Sequence, residues 1–370
     1  MKSSETAQKK DNGNSVLAYY GYNDDIANVR YQNNPDCLDI GRIIAEHKER
    51  YTVMTDSGEC EAEITGTMRF TAKNREDYPA VGDWVSLSLH GDNFAVIHHI
   101  LPRSSVIKRQ AAGQHGAVQI IAANIDYAII VQAADRDFNI NRLERYLTIC
   151  HSANVKPVIV LSKTDLLPEA DIDELIRLIQ LRISDVPVFA VSNETRNGYE
   201  SIIAFIEKGK TYCLLGSSGV GKSTLMNNLS GKHVMKTDAV SKSNNKGRHV
   251  TSHRELIVLD SGGILIDNPG MREVGIADES CGLEITFDAI HRLSENCKFK
   301  DCTHTNETGC AVLDAIENGS IEKSSYDNFM KMEKEKAHFE SSIAERRKKD
   351  KAFGKMIKHY KKDRDRHNHQ

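Results

Sequence analysis

The segment Gly216-Ser-Ser-Gly-Val-Gly-Lys-Ser223 constrains this chain more than any other stretch of its 370 residues. It fits G-x-x-x-x-G-K-[ST], the pattern of a loop that wraps phosphates, and it stands where such a loop must stand. The apolar run Thr211–Leu215 before it reads as a buried strand, and Ser223 to Leu229 reads as a helix. Glycines let successive backbone N–H groups curl round an anion, and the helix N-terminus adds partial positive charge. Gly216, Ser217, Ser218, Gly219, Val220, Gly221, Lys222, Ser223 and Thr224 are therefore candidate phosphate-binding residues. Lys222 is expected to reach the β- and γ-phosphates and Ser223 to hold Mg²⁺. The surroundings agree. Asp126–Gln132, Lys156–Leu161 and Pro187–Val191 read as strands, alternating with helical patterns over Asn141–Ala153, Glu169–Arg182 and Gly198–Lys208. That alternation predicts a parallel sheet covered by helices on both faces.

Ser162-Lys163-Thr164-Asp165 follows one of these strands and resembles N-K-x-D, a base-recognition tetrapeptide. A carboxylate at Asp165 can accept from both N1–H and the exocyclic amine of guanine, a pair that adenine does not offer. Lys163 would lie along the base. Ser162 stands where asparagine is usual, and its shorter hydroxyl is expected to meet the purine edge weakly or through water. Asp267-Asn-Pro-Gly270 ends another apolar run, Gly263–Ile266, and resembles D-x-P-G. Asp267 would orient Mg²⁺ through water and the Gly270 N–H would meet the γ-phosphate. Met271 follows, and a thioether cannot orient an attacking water, so hydrolysis must borrow a group from elsewhere.

Between these motifs, Lys246-Gly-Arg-His-Val-Thr-Ser-His253 lies in a polar stretch. Thr251 is the candidate hydroxyl for sensing Mg²⁺, with Ser252 second. His249 is the candidate for positioning water, and Arg248 for neutralising charge. The alternative for this patch is a solvated or RNA-contacting basic loop. Base recognition precedes the phosphate loop here, the reverse of the usual order. All ligand loops of a doubly wound sheet leave the carboxyl ends of its strands, so a circularly permuted chain rebuilds the same site.

Cys297-x₄-Cys302-x-His304-x₅-Cys310 supplies three thiolates and an imidazole. That set suits tetrahedral zinc with no open position, hence a structural site. The remaining cysteines are scattered, which with the metal cluster points to a reducing, cytoplasmic setting. No apolar run is long enough to span a membrane. Short alternating segments punctuated by glycine between Asp36 and Ile107 predict a small all-β barrel, with an OB-fold leading. Such barrels bind nucleic acid or serve only as docking modules, and Trp84 is either core or a stacking platform. The expected architecture is multidomain: a disordered tail (1–35), the OB-fold (36–110), an α/β circularly permuted GTPase domain (111–283), a mostly helical zinc domain (284–345) and a basic tail (346–370). From Lys331 onward the chain carries 14 Lys and Arg against 7 Asp and Glu, a surplus of +7 in a protein of net charge −3. The surplus reads as an RNA-contacting tail or as a solvated helix.

Together these motifs resemble the RsgA (YjeQ/YloQ) family of circularly permuted GTPases. The carriers are Pro79–Val85, Leu101–Ser105, Gly216–Ser223, Lys246–Glu255, Asp267–Glu273 and Cys297–Cys310. The resemblance implies an enzyme that hydrolyses GTP to GDP and phosphate, stimulated by the small ribosomal subunit, binding rRNA late in subunit maturation; the chain is expected to act as a monomer. It also implies that Arg248–Ser252 form the first switch and that His249 takes part in hydrolysis. The rival is a nucleotide-regulated RNA-binding module with negligible turnover; an ATP-dependent enzyme is a third reading.

Overall fold

The short glycine-punctuated segments near the start of the chain become β1 (Asp39–His47), β2 (Arg50–Thr55), β3 (Gly58–Ile64), β4 (Trp84–His90) and β5 (Phe94–Ile100). They pair in the order β1-β2-β3-β5-β4, and β4 returns to pair with β1, closing a barrel. Alternate side chains turn inward, so Ile43, Val53, Val85, Leu87 and Ile97 form its sealed interior. A short helix, α3 (Gly66–Thr71), follows β3. Five strands in this closed order fit the OB-fold.

The computed structural model describes residues 15–33, 38–47, 50–91, 93–110, 118–135, 137–231, 254–267 and 280–338. They divide into two compact units, one within Met1–Lys108 and Ile120–Val274, the other within Arg109–Gln119 and Gly275–Gln370. The expectation of a disordered tail over 1–35 is corrected for 15–33, where α1 (Val16–Tyr19) and α2 (Asp24–Asn33) form. The apolar side chains of this segment hold it: Leu17 is buried, and Tyr22 meets the Trp84 ring edge-on at 5.4 Å. Trp84 is itself buried, so it is core and not a stacking platform.

After the ribbon β6 (Val106–Gln110) and β7 (Val118–Ala123), the α/β pattern follows as expected. β8 (Tyr127–Ala133), β9 (Lys156–Ser162), β10 (Val188–Ala190), β11 (Thr211–Leu215) and β13 (Ile264–Asp267) run parallel in the order β10-β9-β8-β11-β13. Helices α4 (Ile140–Ser152), α5 (Glu169–Arg182), α6 (Tyr199–Phe205) and α7 (Lys222–Ser230) connect them. The sheet is not wholly parallel, however. β12 (Arg254–Val258) pairs antiparallel to β13 and also meets β1 through Ala45↔Glu255 and Glu46↔Arg254. Barrel and nucleotide sheet are therefore one hydrogen-bonded array of 11 strands.

Arg42 cements that junction. Its guanidinium is buried, donates to the carbonyls of Tyr20, Gly82 and Asn124 and to Thr211 Oγ1, and lies 5.3 Å from the Trp84 ring centroid. Burial pulls its pKa down to about 10, which still leaves it cationic at neutral pH. Each of its three nitrogens finds an oxygen, as a buried charge requires.

The second unit is helical, as the sequence suggests: α8 (Ser280–Thr286), α9 (Asp288–Ser294), α10 (Ala311–Glu317) and a last helix over 323–338. Leu283, Phe287, Ile290, Val312 and Met332 make its core. The basic segment 346–370 lies outside the described residues. Among the described residues, no helix is long and apolar enough to cross a membrane.

Candidate functional site

The described parts of the motifs lie at the carboxyl ends of β9, β11 and β13. After β11 the chain turns through Gly216 with φ 144°, and a Cβ there would stand 2.4 Å from the Val131 carbonyl oxygen. Glycine alone allows that approach. Ser217, Ser218, Gly219 and Val220 complete the loop, and Gly221 (φ 92°) leads into α7. Lys222 opens that helix and Ser223 and Thr224 follow in its first turn, which carries no acidic side chain. The Lys222 ammonium folds over the loop and donates to the carbonyls of Gly216 and Ser217 at 2.8 and 2.6 Å. Curled backbone donors, an ammonium and a helix N-terminus together fit a polyphosphate.

Ser162 differs from its expected role. It is fully buried, and its hydroxyl donates to the Val220 carbonyl at 2.6 Å instead of facing a purine edge. A side chain this short is satisfied beneath the phosphate loop before it can reach a base. Lys163, in the left-handed region at φ 61°, extends to Asp135 Oδ2 at 3.0 Å. Thr164 is buried in the turn, and Asp165 is exposed with Oδ1 held by the Ser192 hydroxyl at 2.6 Å. Asp267 closes β13. A hydroxyl at Ser223 and a carboxylate at Asp267 are the hard oxygen donors that Mg²⁺ takes. Arg248, His249, Thr251, Ser252, Gly270 and Met271 lie outside the described residues.

The cysteine cluster also assembles. Donor atoms of Cys297, Cys302, His304 and Cys310 all lie within 4.8 Å of one another. Cys297 Sγ is 3.8 Å from Cys310 Sγ and 3.6 Å from His304 Nδ1, which is 3.3 Å from Cys310 Sγ. Tetrahedral zinc with its usual bond lengths separates such donors by roughly 3.5–3.8 Å. Burial opposes ionisation of the Cys297 thiol, but N–H groups of Ala311 and Val312 and the Cys302 and Cys310 thiols outweigh it and lower its pKa. Burial lowers the His304 pKa. The Cys302 thiol shifts the other way, to about 11; a metal binds thiolate and neutral imidazole, so loading the site displaces thiol protons. The Tyr326 hydroxyl fixes the His304 backbone carbonyl, tying the last helix to this loop.

Residues 100–277 match the RsgA GTPase family model. The small ribosomal subunit biogenesis GTPase RsgA 1 of Bacteroides thetaiotaomicron is 38% identical over 353 residues, spanning 95% of this chain and 98% of that protein. The chain belongs to the RsgA GTPase family. The RsgA 2 protein of Lactiplantibacillus plantarum is 42% identical over 81% of this chain and 84% of its own. The crystal structure of YloQ, described as a circularly permuted GTPase, aligns at a TM-score of 0.60 with 26% identity, covering 83% of this chain and 98% of that one. YjeQ from Thermotoga maritima aligns at 0.58 with 25% identity, covering 82% and 98%. As a member of the RsgA family, this chain is a GTP-hydrolysing enzyme.

Four residues beside this candidate site escaped the sequence reading. Asp135 follows β8 and pairs with Lys163; Ser192 and Asn193 follow β10; Arg142 reaches from α4 to Ser217 Oγ at 3.1 Å. The available signal was position. Asp135, Ser192 and Asn193 all sit just past the carboxyl end of an apolar strand, where a doubly wound fold keeps its ligand loops.

Proposed function

We propose that this chain binds GTP with Mg²⁺ and hydrolyses it to GDP and phosphate as a late maturation factor of the small ribosomal subunit, which stimulates turnover. The observation that carries the guanine reading is Asp165, exposed at the same end of the sheet as the phosphate loop and oriented by Ser192. Its carboxylate would accept from the two guanine donors, with Lys163 along the base. Gly216–Thr224 would wrap the phosphates, and Lys222 would neutralise charge building on the transferred group. Ser223 and Asp267 would hold or orient Mg²⁺, which screens the β- and γ-oxygens when bound. Thr251, His249 and the Gly270 N–H are assigned by motif position to γ-phosphate sensing, water positioning and oxyanion contact. Met271 offers no oxygen to aim water, which supports a dependence on the subunit for full turnover. Zinc at Cys297, Cys302, His304 and Cys310 serves structure, because four protein ligands leave no open position.

The relatives are named for small-subunit biogenesis. The +7 surplus from Lys331 onward supports rRNA contact. GTP turnover measured with and without purified small subunits tests the proposal. Stimulation is expected, and an unchanged slow rate would favour the RNA-binding module with incidental turnover. Asp165→Ala should lower GDP affinity on the order of a hundredfold, since two hydrogen bonds to a charged group are lost together. Isothermal titration with GDP and ADP checks this; retained preference for GDP would remove Asp165 from base recognition.

A further inference from the structure

The phosphate loop is gripped from below by two side chains, and each stands beside a residue of the base pocket. Ser162, three positions before Asp165, donates to the Val220 carbonyl at 2.6 Å. Asn193, next to Ser192, donates through Nδ2 to the Gly221 carbonyl at 3.1 Å. These are consecutive peptide groups. In a trans peptide the C=O of one residue and the N–H of the next point to opposite sides of the chain. Holding the carbonyls of Val220 and Gly221 on one side therefore aims the N–H groups of Gly221 and Lys222 to the other.

Asn193 is itself held at its side-chain oxygen and at its backbone carbonyl. Its Oδ1 accepts the Tyr199 hydroxyl at 2.6 Å, and its backbone carbonyl accepts from Asn228 Nδ2 at 3.1 Å. Asn228 Nδ2 also meets the Tyr199 hydroxyl at 2.9 Å. Tyr199 is buried and opens α6, while Asn228 belongs to α7, the helix that the phosphate loop starts. The fit against the loop is close: a Cβ at Gly221 would lie 2.5 Å from Asn193 Nδ2.

We infer that Asn193 is a positioning residue of the nucleotide site, sharing with Ser162 the task that a single longer side chain at position 162 would perform. Ser162 satisfies one carbonyl; its hydroxyl has no second donor for the next. Asn193 supplies a side-chain donor from the neighbouring loop, beside the Leu225 N–H that bonds the same Gly221 carbonyl at 2.9 Å as α7 begins. The loop that orients Asp165 through Ser192 thereby also sets the peptide planes that face the β-phosphate, so base and phosphate recognition are built on one rigid bridge from β10 to α7.

The inference rests on the guanine-nucleotide reading of the site, and the test separates the two. GDP and GMP affinities are compared in the wild-type full chain and in Asn193→Asp, Asn193→Ala and Ser192→Ala. Asn193→Asp keeps an oxygen for the Tyr199 hydroxyl but loses the donor to Gly221, so it remains informative should Asn193→Ala destabilise the fold. Both Asn193 variants should bind GDP about tenfold more weakly, the worth of one well-placed hydrogen bond. GMP, which lacks the β-phosphate, should bind as it does to the wild type. Ser192→Ala, acting through the base, should weaken GDP and GMP by the same factor. GDP affinity unchanged in both Asn193 variants, or GDP and GMP weakened equally in them, overturns the positioning role. A wild-type chain that binds neither nucleotide overturns the site reading itself.

Discussion

Lys222→Ala is expected to lower GTP turnover on the order of a hundredfold to a thousandfold, the usual loss when a preorganised charge is removed from a transition state. The Lys222 ammonium already lies over the loop, within 2.6–2.8 Å of two of its carbonyls, so it is placed where anionic oxygens would replace those carbonyls as partners. The fold should survive. Lys222 begins α7 and is only half-buried, and the neighbouring sheet core is built from Ile129, Val131, Leu214 and Leu225 without it. Single-turnover hydrolysis read beside a thermal melt checks both halves. A variant that keeps its melting temperature and hydrolyses GTP at the wild-type rate would remove the phosphate-loop assignment.

Removal of zinc is expected to unfold the second unit. The helices around the cluster are short, and α8, α9 and α10 span only seven residues each, too few to be stable alone in water. Cys310 sits in the unit's apolar core and stands at the start of α10, so the candidate metal site and the packing share a residue. Structural zinc contributes about 10–16 kcal/mol in small domains, and that free energy becomes folding free energy. Chelation, or Cys302→Ser, should therefore abolish amide protection over 280–338 while GDP binding in the first unit persists. Hydrogen exchange with mass spectrometry reads this by segment. A zinc-free preparation that keeps protection there would contradict the structural role.

What the sequence made legible was local. The phosphate loop announces itself because glycine spacing, a preceding strand and a following helix lie in one continuous stretch. The metal ligands do so because four soft donors fall within fourteen positions of each other. What stayed hidden depends on partners far along the chain. Ser162 looked like a base contact because its tetrapeptide says so, but its direction is decided by Val220, 58 residues away. Asn193 carries no spacing signal, since its partner Gly221 belongs to a different loop. β12 was missed because Arg254 and Glu255 open it with charge, and its strand character comes from pairing with β13 and β1. The order of the 15–33 segment derives from burying Leu17 and seating Tyr22 on Trp84, long-range contacts that its own spacing does not announce.

The strand order has a consequence for how such a chain leaves the ribosome that makes it. β8 ends at residue 133, yet the edge of β8 opposite β9 is filled only by β11, which begins at Thr211. At synthesis rates of ~5–20 residues per second, that apolar edge waits roughly ten seconds for its neighbour. An open edge of this kind is where nascent chains stick to one another. The strand that closes it ends in the phosphate loop, so the residues that seal the sheet also bring the nucleotide's grip with them. Guanine nucleotide can thus stabilise only chains whose middle strand has already arrived, and by mass action it retains those and leaves the unfinished ones unprotected.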